Sequence, residues 1–64
     1  MIITNVEIAK VIEKKGYDFQ KALDSIDAGR TPDQETKEIS IEEIDDMIKN
    51  ICLAFEIERE EIIH

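Results

Sequence analysis

The sequence predicts an all-α fold: a small three-helix domain in which an N-terminal helical hairpin is followed by a longer, acidic C-terminal helix. The count rises to four if the C-terminal arm breaks. Two observations predict this. Apolar residues recur three and four positions apart, the spacing that lines one face of a helix; Ile41, Ile44, Ile48, Ile51 and Phe55 are the clearest run. Residues that start and stop helices stand where each run begins and ends. The 64 residues form one domain, divided into a hairpin at 5–28, a linker at 30–38 and an acidic helical arm at 40–63.

The first helix is expected at 5–15. Asn5 is placed to cap it, Val6, Ile8, Ala9, Val11 and Ile12 form its apolar face, and Gly16 stops it just after Lys14 and Lys15. Ile2 and Ile3 form a short extended lead-in or a strand end. Asp18 caps the second helix, expected at 18–28, with Tyr17 and Ala22 at the positions of a hydrophobic staple. Phe19, Ala22, Leu23 and Ile26 are its apolar residues, and Ala28-Gly29 ends it. The short turn at Gly16 makes the two a hairpin. Residues 30–38, RTPDQETKE, read as a solvated linker without helix, because Pro32 interrupts one.

The third helix, at 40–55, has the strongest local signals. Ser40 and Glu43 are spaced as a capping box, Ile39 and Ile44 as a staple, and Glu42, Glu43, Asp45 and Asp46 lie near the positive end of the helix dipole. Beyond it, FEIEREEIIH either continues the helix to 63 or breaks near Glu56-Ile57 and starts a short fourth helix. Ile57 leaves the stripe and Ile62 returns to it. The break is the expectation carried forward.

Charge is uneven. Residues 1–32 hold five acids and five bases, while residues 33–64 hold eleven acids and three bases, so the whole net charge of −8 lies in the second half. Direct nucleic-acid binding is disfavoured, since it relies on Lys and Arg against phosphate, and so are anionic membranes. MIITNVEIAK lacks a basic and apolar leader, and Cys52 is a lone cysteine, so a cytoplasmic location is expected. The thirteen isoleucines against two leucines suit an AT-rich coding genome, as in low-GC bacteria and their phages.

Catalysis and cofactors are not expected. His64 is the single histidine, Cys52 sits in an apolar helix without a histidine to activate it, and the two glycines make no phosphate loop. No His/Cys cluster suits a metal. The run Asp24–Glu35 imitates a calcium loop in length, but Ile26 and Ala28 occupy two ligand positions. A helix-turn-helix reader is disfavoured by Asp18, Asp24 and Asp27 on the helix that would enter the groove.

What remains is interaction with protein. The face of Ile44, Met47, Ile48, Ile51, Phe55 and Ile62 is expected to serve the core on one side and a partner or second copy on the other, making a homodimer. Glu42, Asp45, Asp46, Glu56, Glu58, Glu60 and Glu61 are expected to dock on a basic protein surface. A small regulator or inhibitor that binds a partner protein is the resulting expectation. The alternative is an acidic nucleic-acid mimic that blocks a DNA- or RNA-binding protein.

Two stretches resemble known families. Gly16-Tyr17 with Ala22-Leu23 resembles the loop and second helix of ubiquitin-associated domains, although the third helix of those domains does not follow at the usual distance. IEEIDDMIKNICLAFEIEREEI is similar to the dimerising helical hairpins of the SinI/SinR regulator group. That resemblance implies an interface through Ile44, Ile48, Ile51, Phe55, Ile57 and Ile62.

Overall fold

The computed structural model describes residues 1–63, with side chains through Glu61. Helices α1 (Asn5–Lys14), α2 (Phe19–Gly29), α3 (Pro32–Glu35) and α4 (Ile41–Ile63) follow one another, and no strand occurs among the described residues. No helix among them is long and apolar enough to cross a membrane. The side chain of Ile62 and the whole of His64 lie outside the described residues.

Thr4, rather than the expected Asn5, caps α1: its hydroxyl accepts the Glu7 N–H at 3.3 Å. Threonine serves this role almost as well as asparagine. Asn5 is then free to turn inward, where it is buried. Gly16, at φ +101°, makes the left-handed turn out of α1 that side chains resist. Asp18 caps α2 as expected, accepting the Lys21 N–H at 2.9 Å.

The linker differs from expectation. Pro32 opens the one-turn helix α3 instead of preventing it, because a first-turn residue needs no N–H donor and proline already has helical φ. The Gln34 side chain closes the turn by accepting the Thr31 N–H at 2.9 Å.

Ser40 caps α4, its hydroxyl accepting the Glu43 N–H at 3.1 Å. The expected break at Glu56-Ile57 does not occur, and α4 runs unbroken through 23 residues. No glycine or proline interrupts that stretch. Phe55, Glu56 and Arg59 all reach back to the α1–α2 turn, so the continued helix gains contacts even though Ile57 is turned to solvent. At 1.5 Å per residue α4 is about 35 Å long, roughly twice the length of α1 or α2.

The core is Ile8, Ala9 and Ile12 of α1, Ala22 and Ile26 of α2, and Ile44 and Ile48 of α4. Each buried isoleucine stabilises the fold by about 1.5–3 kcal/mol relative to exposure. Both α2 and α4 pack chiefly on α1 and make little contact with each other. The arrangement is a hub with two spokes, and it leaves a gap between α2 and α4. At the other edge, the Ile39 N–H donates to the Met1 carbonyl at 2.8 Å, and the Met1 ammonium pairs with the Glu38 carboxylate. This clip ties the lead-in to the entry of α4.

Candidate functional site: a groove between α2 and α4

The gap left by the packing is a groove of about 410 Å³. Ser25, Ile26 and Gly29 of α2 form one wall, and Glu43, Asp46, Met47, Asn50 and Ile51 of α4 form the other. Both sets are dictated by helical period: residues three and four apart share a face. The α4 wall lies one step around the helix from the buried Ile44–Ile48 edge. Ile26, Met47 and Ile51 give the groove an apolar floor, and the exposed carboxylates of Glu43 and Asp46 form its rim. A second depression of about 320 Å³ continues past Met47 toward Gln34, Lys37 and Ile39. Gly29, Arg30, Glu43 and Met47 line both.

Gly29 lies where the two depressions meet. Its φ is not positive, and a Cβ there would touch nothing within 4 Å. Neither backbone conformation nor crowding requires glycine at this position.

Arg30, where the two depressions meet, is 5% exposed. Its guanidinium donates to the Ile3 carbonyl at 2.6 Å, the Asn5 side-chain oxygen at 3.2 Å and the Gln34 carbonyl at 3.1 Å. Asn5 in turn donates to Asp27 at 2.8 Å. The cation is thus held inward, linked through an amide to a carboxylate. It braces the lead-in, α1, α2 and α3 at one point.

A second cluster fixes the far half of α4. The Tyr17 hydroxyl donates to Glu56 Oε1 at 2.7 Å, and Arg59 donates to the same oxygen at 3.1 Å. Arg59 also donates to the Gly16 carbonyl at 3.1 Å, and its guanidinium lies 4.6 Å from the centre of the Tyr17 ring. Tyr17 and Phe55 rings stand 5.4 Å apart. The hydrogen bond to Glu56 holds the Tyr17 hydroxyl above its usual pKa, helped by partial desolvation and by the negative charge of Glu56.

The expected interface residues separate into groups. Ile44 and Ile48 belong to the chain's own core, Met47 and Ile51 are half-buried beside the groove, and Phe55 is half-buried against Tyr17. Among the expected docking carboxylates, Asp46 is on the groove rim, Glu56 is engaged by Tyr17 and Arg59, and Glu42, Asp45, Glu58, Glu60 and Glu61 are exposed along α4. Leu53 and Ile57, which continue the Asp46–Asn50 stripe of α4 away from the Ile44–Ile48 core edge, are 59% and 50% exposed. Sequence reasoning missed Ile26, Gly29, Arg30 and Glu43 as groove residues. In the sequence Glu43 stands out as a cap and a dipole partner at the start of its helix, and nothing local says that α2 and α4 stay apart. Cys52 is half-buried, and no three His, Cys, Asp or Glu side chains converge as a metal site among the described residues.

No protein-family model matches this chain, and no curated protein or solved structure matches it either.

Proposed function

We propose that this chain is a non-enzymatic protein–protein interaction module, a small regulator or inhibitor that receives part of another protein in the groove between α2 and α4. The observation that carries this reading is the packing itself. Because α4 packs chiefly on α1 and only lightly on α2, Met47 and Ile51 are left half-buried above a cleft with an apolar floor. Apolar clefts with a few placed polar groups are the usual sites of recognition. Apolar contact in the cleft supplies affinity, and the carboxylates on α4 supply orientation and association rate.

Charge bears on whether the partner is a second copy or a different protein. Helix α4 carries eight acids against Lys49 and Arg59, so two copies meeting through it bring like charges together. A different protein is the better occupant.

The test uses the open space at Gly29. Immobilised wild type and Gly29→Phe are compared for capture of partners from soluble extract. Loss of a specific partner from Gly29→Phe, with its helicity and melting preserved, supports the groove. Equal capture by both rejects it.

A second reading, nucleic-acid mimicry, is favoured by the exposed carboxylates Glu42, Asp45, Asp46, Glu58, Glu60 and Glu61 along one rod. Its signature is salt. Exposed charges are screened beyond about 8 Å at 0.15 M, so a mimic releases its partner steeply over moderate salt while an apolar contact barely responds.

A further inference from the structure

We infer that the occupant of the groove is an amphipathic α-helix of another protein, whose apolar stripe is flanked by lysine and arginine. This rests on the interaction reading above and adds the chemistry of the partner.

The walls decide the occupant's shape. Both are helices, and the described residues offer no sheet edge to which an extended segment could add as a strand. A cleft between two helices takes a third helix, which inserts residues at i, i+3, i+4 and i+7. The α4 wall from Glu43 to Ile51 spans about 12 Å, or two helical turns, which matches such a stripe.

The electrostatics decide its charge. Glu43 and Asp46 stand exposed on the rim. The C-terminal end of α2 at Gly29 carries negative partial charge, with no basic residue in its last turn, and the C-cap residue Arg30 offsets it only in part. The one cation in the walls of the larger depression, Arg30, is buried, with its guanidinium bonded to carbonyl and amide oxygens of its own chain. At the lip of the larger depression a partner therefore meets negative charge, which a basic flank complements, while the smaller depression adds exposed Lys37 beside Glu38.

Gly29 bears on the room available to the occupant. Gly29 is the last residue of α2, where the penalty that glycine carries in a helix interior is reduced. Here it is required by neither φ nor the chain's own packing, and its effect is to leave room where the two depressions meet.

Three fluorescein-labelled designed helices test the inference. They share one leucine stripe and are flanked by Lys, by Gln or by Glu. Binding is read by anisotropy at low and at 0.15 M salt. The Lys-flanked helix is expected to bind wild type more tightly than the Gln-flanked one, and the Glu-flanked helix least. Glu43→Gln with Asp46→Asn, a change confined to exposed charges, is expected to weaken the Lys-flanked helix by roughly fivefold or more. Gly29→Phe is expected to abolish its binding while circular dichroism shows an intact fold. Equal binding of the Lys- and Gln-flanked helices overturns the inference but leaves the interaction reading standing. Unchanged binding to Gly29→Phe overturns both, because the contact then lies elsewhere on the acidic arm. Sedimentation showing the groove filled by a second copy overturns the inference alone.

Discussion

At the scale of single residues, Arg30 matters most to the shape of the site. Three oxygens from separate parts of the chain converge on one guanidinium. Replacing it with methionine leaves them without a donor in a buried setting, a loss of about 2 kcal/mol or more. Lysine is not a substitute, since one ammonium cannot reproduce the planar fork. Thermal melting of Arg30→Met and Arg30→Lys checks this, and a wild-type melt for Arg30→Lys contradicts it. Tyr17, the only tyrosine, gives a second residue-scale prediction. Its hydroxyl is held protonated by Glu56, so ultraviolet titration places its midpoint above the ordinary value of about 10. Folding raises the pKa, so the stabilisation is complete below the unfolded value and is lost as pH climbs through the folded one. Glu56→Ala is expected to bring the midpoint back down. An unchanged midpoint removes Glu56 as the cause.

Helices are the next scale. Ile48→Ala is expected to destabilise by about 2–4 kcal/mol, because Ile48 is 8% exposed in the shared core. Gly29→Ala, at the last residue of α2, is expected to stabilise by no more than about 0.5 kcal/mol, which for a domain this small raises the melting temperature by at most roughly 2–4 °C. Destabilisation by alanine there would mean that the open space at Gly29 is not open. The helices were the most legible part of the sequence. Asp18, Ser40 and Gly16 act where local chemistry says they should, since caps and turns depend on near neighbours. Legibility failed wherever distant residues decide. Asn5 gave up capping to join Arg30 and Asp27, and residues 55–59 stayed helical because Tyr17 and Gly16 hold them. The groove was half visible. Met47, Ile51 and Asp46 stood out on the stripe and its flank, but its α2 wall depends on the separation of two helices, which no sequence window contains.

The whole molecule measures 40 × 20 × 18 Å, a short body with one long acidic helix. Its net charge of −8 is concentrated on the arm, so self-repulsion weakens the fold and discourages a second copy at low salt. Raising salt from low to moderate levels is expected to increase the melting temperature without producing a dimer, as seen by sedimentation. A dimer that forms at low salt would reverse the preference for a foreign partner. The most direct test asks which surface of the molecule another protein covers. Methyl-labelled protein saturated with the Lys-flanked helix is examined for intermolecular nuclear Overhauser contacts. Contacts from the methyl groups of Met47 and Ile51 are the expected result, and contacts from the exposed Val6 and Val11 of α1 instead would place the partner outside the groove and contradict the account.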